Sequence, residues 1–150
     1  MRRGVTLLEI LIVIGILVVV TTLLIAAFGS FKKQKPLDGG VALLVAMLTD
    51  ARSRTLASQN DSVWGVHIEV NRFVLFRGSV YTSGAADNEA ASLPPEVEVS
   101  ATSLSGGGSD VVFARLTGTT SKSGSVTLIL TNASTTEVVI IAPSGVASHP

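Results

Sequence analysis

Chemistry needs side chains that converge, and this chain offers few that do. Its two histidines, His67 and His149, stand far apart, and neither has a second ligand at metal-binding spacing. His67 alternates with Val66 and Ile68, which makes it a sheet-face side chain, and His149, next to the last residue, is expected to fray. No serine occupies a G-x-S-x-G turn, and Gly106 to Gly108 lacks the lysine of a phosphate-binding loop. Cysteine is absent, which excludes disulfides, thiol catalysis and Cys-based zinc sites. Asn60-Asp61-Ser62 and Asn132-Ala133-Ser134 match a glycosylation sequon but read first as turns. No catalytic, metal or cofactor-binding residue is expected, and the chain does not read as an enzyme. One titratable group is nevertheless out of place. Glu9 lies at the edge of an apolar run in which no charged residue occurs from Ile10 to Phe31.

That run must be positioned by an element of its own. Residues 5–28 supply more than the roughly 20 apolar residues a bilayer-crossing helix needs, and exceed the roughly 7–15 of a signal-peptide core. The basic leader is only Met1-Arg2-Arg3-Gly4, and its small residue precedes the apolar run instead of following it. A cut after Gly4 would therefore remove residues 1–4, leave the helix on the protein and create a new α-amino group at Val5. A carboxylate at the centre of a spanning helix costs about 2.5–3.5 kcal/mol on insertion scales, less near an end, so Glu9 calls for a function. The flanking charges leave orientation ambiguous, because Arg2 and Arg3 at one end face Lys32, Lys33 and Lys35 at the other.

Arg2-Arg3-Gly4 followed by Val5-Thr6-Leu7-Leu8-Glu9 resembles the cleavage and methylation motif of type IV prepilins and pseudopilins. The resemblance implies cleavage between Gly4 and Val5 by a prepilin peptidase, N-methylation of Val5, and an assembly role for Glu9, which would meet the α-amino group of a neighbouring subunit. Val5 stands where the family usually has Phe. The resemblance also implies an inner-membrane, single-pass precursor with a cytoplasmic N-terminus and an exported C-terminal domain, later drawn into a pilus or pseudopilus. The implied partners are the peptidase, other pilin or pseudopilin subunits, the inner-membrane assembly platform, and membrane lipid before assembly.

Beyond the apolar helix, Pro36 and Gly39-Gly40 predict a linker or helix break over 29–40. A second, amphipathic helix follows, with Val41, Leu44, Val45, Leu48, Ala51 and Leu56 on one stripe. Asp50 and Arg54 are placed to pair on its polar side. The remainder reads as strands. Residues 64–70 and 73–81 form a hairpin across Asn71 and Arg72, and 82–95 a long polar loop. Glu96 to Ala101 alternates, with the glutamates facing water, and 110–116 adds a further strand. Residues 125–131 and 136–142 form a second hairpin whose continuous apolar runs suit a sheet centre. The expectation is an α+β, pilin-like fold: leader 1–4, transmembrane and assembly helix 5–28, linker 29–40, and a globular domain over 41–150. Within the family, the likeness is to H-type pseudopilins and related minor pilins, on Asp50 to Ser58, Val63 to Ile68, Val111-Val112-Phe113, Gly118 and the strand Val126 to Leu130.

Three functions compete. One is a pilin-like structural subunit of a type IV pilus or a type II secretion pseudopilus. Another is a minor-pilin DNA receptor, whose exported cations would be Arg72, Arg77, Arg115 and Lys122. The third is a single-pass anchor for an extracytoplasmic binding protein. The exported region carries six basic against nine acidic side chains, so DNA is not an expected partner.

Overall fold

The structure is a computed structural model that describes the backbone of residues 6–150 and the side chains of residues 6–24 and 35–150. The chain divides into two compact units, Met1–Lys35 and Pro36–Pro150. Helical backbone, α1, is assigned over Leu7–Leu56 and passes through Pro36. The linker or helix break expected at 29–40 is thus helical, although the boundary between the two units falls inside that range. Pro36 supplies no N–H, so the helix passes this point with one hydrogen bond fewer. Gly40, a poor helix former, is buried there for a packing reason. A Cβ on it would lie 3.1 Å from Leu128 Cδ2 and Leu93 Cδ2 and 3.2 Å from Val97 Cγ1. Its missing side chain lets the helix approach the strands closely.

Within the second unit, α1 buries Leu37, Val41, Leu44, Leu48, Ala51 and Thr55. Their alternating spacing of four and three residues follows one face of a helix. Two members of the expected stripe lie off it: Val45 is half-buried and Leu56 is exposed. The position one turn beyond Ala51 is Thr55, and Leu56 is rotated about 100° from it. Burying Thr55 is affordable because its hydroxyl is doubly satisfied. It donates to the Ala51 carbonyl at 2.8 Å and accepts the Trp64 N–H at 2.9 Å, fastening the helix end to the first strand.

A short 3-10 turn at Gln59–Asp61 leads into β1, Trp64–Ile68. Strands β2 (Arg72–Arg77), β3 (Glu89–Ser92), β4 (Val97–Leu104) and β5 (Asp110–Val112) follow, then β6 (Gly124–Leu130), β7 (Thr136–Ile141) and β8 (Ala147–Ser148). They form two antiparallel sheets in the orders β3-β2-β1-β5 and β4-β6-β7-β8. The helix stripe shares one core with Val66, Ile68, Phe73, Leu75 and Val111 of the first sheet and Val97, Val126, Leu128, Val139 and Ile141 of the second. The domain is therefore α+β. Both expected hairpins are present, and β6 and β7 hold the interior of their sheet.

Three features depart from the sequence pattern. The polar loop expected over 82–95 contains β3, which pairs Leu75 with Glu89 and Phe73 with Ala91. The stretch Glu-Ala-Ala-Ser carries no β-branched or aromatic residue, so pairing and not propensity makes it a strand. The alternation of β4 also changes phase. Val97 and Val99 point inward, then Thr102 and Leu104, because a bulge separates Val99 from Ala101. At that irregularity the Val99 N–H donates to the Val70 carbonyl at 2.8 Å, tying the two sheets together. Finally, β1 and β2 are buried on both faces. Val74 and Phe76 lie outside the main core, where Tyr81 packs edge-on to Phe76 with ring centroids 5.6 Å apart. Gly65 makes that possible, since a Cβ there would lie 2.7 Å from Phe76 Cζ.

Two measurements check this packing. Thr55→Val should leave the buried Trp64 N–H without its acceptor and cost about 1–3 kcal/mol in denaturant unfolding, despite the greater apolarity of valine. A fragment beginning at Pro36 should be more stable than one beginning at Val41 by about 1.5–3 kcal/mol, the burial of the Leu37 side chain. Equal midpoints for the two fragments would remove Leu37 from the core.

Candidate functional site

Gly4 and Val5 lie outside the described residues. The site that the structure does describe begins at Thr6. The Thr6 carbonyl accepts the Ile10 N–H and its hydroxyl accepts the Glu9 N–H, both at 3.3 Å. Thr6-Leu7-Leu8-Glu9 thus has the T-x-x-E spacing of a helix capping box, with Thr6 as the cap and Glu9 three residues in. The carboxylate of Glu9 sits in the first helical turn, where the helix dipole favours negative charge by about 0.3–1 kcal/mol. The motif therefore carries a local meaning that the apolar context conceals. Glu9 helps to start the helix, whatever else it meets.

Leu7–Leu24 is the one helical stretch among the described residues long and apolar enough to cross a membrane, and none of its 18 residues is buried. At 1.5 Å per residue it measures about 27 Å, close to the roughly 30 Å of a bilayer hydrocarbon core. Its apolar side chains surround the helix on every side: Leu7, Leu8, Leu11, Ile14, Leu17 and Leu23 are all exposed. A helix that is apolar all round belongs in lipid or among other helices. Its polar side chains fit that requirement. Thr21 donates its hydroxyl to the Leu17 carbonyl at 2.6 Å, and Thr22 to the Val19 carbonyl at 2.8 Å, so neither needs water.

In the second unit several titratable groups are knitted into the fold. His67 lies flat against Tyr81, with ring centroids 3.9 Å apart, and its Nδ1 is 2.5 Å from Asp110 Oδ1. It thereby joins β1 to the edge strand β5 and to the segment after β2. His149, expected to fray, is instead held by Glu137 at 2.6 Å, beside the pairing of β8 with β7. Arg54 bridges Asp50, as the spacing predicts, and also grips Glu89 of β3 while lying 4.9 Å from the Trp64 ring. The hydrogen bonds it donates to Glu89 first and Asp50 second raise its pKa above the ordinary arginine value. Among the described residues no group of three or more His, Cys, Asp or Glu could hold a metal ion.

The four cations considered for DNA are each tied to a local acceptor. Arg72 meets Glu69 at 2.7 Å, Arg77 meets Asp87 at 3.3 Å, and Arg115 meets Asp61 at 2.6 Å. Lys122 Nζ donates to the Gly106 and Gly107 carbonyls at 3.2 and 2.8 Å. These contacts close turns and brace loops. No family model, no curated protein and no solved structure matches the chain.

The Arg72 hydrogen bond holds the Glu69 carboxyl below its ordinary value, against a smaller opposing effect of desolvation. A depressed folded value means that this contribution is present above the unfolded carboxylate range and is lost as pH falls through the folded value. Arg72→Ala should therefore raise the Glu69 pKa in an NMR titration and flatten the acid limb of the stability profile. An unmoved Glu69 titration would show that the pair contributes nothing.

Proposed function

We propose that the chain is a pilin-like structural subunit, a minor pilin or pseudopilin, cleaved by a prepilin peptidase and assembled through its N-terminal helix. The observation that carries this reading is the wholly exposed apolar helix Leu7–Leu24, opened by a cap that places a carboxylate in its first turn and followed in sequence by an α+β domain. A plain membrane anchor needs that carboxylate for nothing beyond starting the helix. An assembling helix has a further use for it, because the α-amino group created at Val5 is its natural counter-charge once neighbouring helices exclude water. The subunit waits as a single-pass inner-membrane protein with its N-terminus in the cytoplasm. It then enters a pilus or a type II secretion pseudopilus through the assembly platform. The local engagement of Arg72, Arg77, Arg115 and Lys122 supports this reading over that of a DNA receptor.

The mature protein should begin at Val5, carry an N-methyl group, and fail to be processed when Gly4 is made bulky; intact-mass measurement on membrane extracts checks this. Retention of Met1 in a host with active peptidase contradicts it. The two roles of Glu9 are separable. Thr6→Ala should weaken the cap by about 1 kcal/mol yet leave filament incorporation largely intact. Glu9→Gln retains a capping-box side chain without the charge and should impair incorporation strongly, at normal expression and cleavage. Equal incorporation of Glu9→Gln and the unaltered chain would reduce Glu9 to its helix-starting role.

A further inference from the structure

Between β2 and β4 the chain crosses residues 82–92 in a way that the hydrophobic effect does not explain. Residues 82–92 contain no apolar side chain larger than alanine, and none of them is buried. The segment is nevertheless pinned at both ends. Tyr81 stacks on the His67 ring with centroids 3.9 Å apart, and the buried Leu93 donates its N–H to the Asn71 carbonyl at 2.9 Å. These anchors fix where the segment starts and stops, not how it lies between them. Within it, Asn88 donates from Nδ2 to the Thr82 carbonyl at 2.8 Å and from its N–H to the Ala85 carbonyl at 3.1 Å. The turn is thus closed on itself and moves as a unit.

What holds the segment to the rest is a short ladder and two ion pairs. The ladder pairs residues 72–75 of β2 with Glu89–Ser92. Arg77 Nη1 lies 3.3 Å from Asp87 Oδ2, and Arg54 Nη2 donates to Glu89 Oε2 at 3.0 Å. The Asp87 side chain is 54% exposed and that of Glu89 56%, and ion pairs so open to water are weak and screened by salt. Arg54 also has a second partner, since Asp50 Oδ2 lies 2.8 Å from the same nitrogen. When Glu89 leaves, the arginine keeps a counter-charge and its place by the Trp64 ring, while Glu89 is hydrated. Opening therefore strands no buried charge, and the usual penalty for breaking an ion pair is absent.

We propose that residues 82–92 form a strap, anchored at Tyr81 and Leu93 and latched by Arg54–Glu89 and Arg77–Asp87, that lifts from β2 when salt screens the latch. What it covers is the outer edge of β2, which has no other strand on that side. Bared N–H and C=O groups along such an edge are a template for further strands. The strap keeps the first sheet closed at low ionic strength and opens it at high. The device lies within the second unit and does not depend on the proposed function.

Hydrogen exchange of the full chain in detergent, read by mass spectrometry, tests this. The amides of β3 should exchange about tenfold or more faster than those of β6 and β7, as a locally opening segment does. They should gain a further several-fold between low salt and about 1 M NaCl, where the screening length falls to about 3 Å. Protection of β6 and β7, followed in the same run, should not change. The double variant Asp87→Asn, Glu89→Gln should show the fast exchange already at low salt and respond no further to salt. Protection of β3 equal to that of β6, or loss of protection in all strands together, overturns the strap. Fast exchange of β3 that ignores both salt and the double variant overturns the latch.

Discussion

The second unit depends on one helix face being buried against two sheets at once. Leu37, Val41, Leu44, Leu48, Ala51 and Thr55 form a continuous stripe that neither sheet supplies with a substitute. Each sheet has only four strands, and several are short. Isolated, such sheets would expose the faces that now meet the helix, and small sheets need that cover for stability. The helix also accounts for the backbone choices around it. Gly40 lets it come close, and the Thr55 hydroxyl joins its end to β1. The bulge in β4 lets Val99 bond Val70, so that the two sheets meet beneath it.

Across Leu7–Leu24 the same helical assignment obeys the opposite rule. Nothing covers these residues, and their side chains are apolar in every direction. Burying about 25 cal/mol for each square ångström of such surface is a large driving force, and either lipid or neighbouring helices can satisfy it. Lipid tails are as apolar as leucine, so exchanging one environment for the other changes little free energy by hydrophobicity alone. Direction and register must then come from groups that lipid cannot satisfy. Glu9 is the one acidic group in the described part of that segment, which gives its charge an importance out of proportion to its size.

Much of this organisation was legible in the amino-acid sequence, wherever periodicity and burial agree. Strands β1, β2, β6 and β7 have strong apolar or alternating patterns and fall close to where those patterns put them. β3 and β8 were hidden, because Glu-Ala-Ala-Ser and Ala-Ser have no intrinsic strand signal and are made by their neighbours. The break foreseen over 29–40 rests on the low helix propensity of Pro36 and Gly39-Gly40; the backbone there is helical, and the boundary between the two units falls inside the range. Leu56 looked like core by hydropathy, but helical phase assigns that place to Thr55. At the candidate site, Glu9 was conspicuous by its surroundings. Its cap with Thr6 was equally present in the T-x-x-E spacing, though masked by the more unusual apolar context. The His67–Asp110 and His149–Glu137 contacts join residues far apart in sequence, so no local pattern could announce them.

The central claim is that Leu7–Leu24 exchanges lipid for neighbouring helices when the subunit assembles. A chain without cysteine allows a single spin label at Leu17→Cys, in the middle of that stretch, and its collision rates with oxygen and with a water-soluble nickel complex report the surroundings. The account predicts high oxygen and low nickel accessibility in the membrane pool, then low accessibility to both in assembled material. A label that meets the nickel complex freely in the membrane pool, or stays equally open to oxygen after assembly, would contradict it.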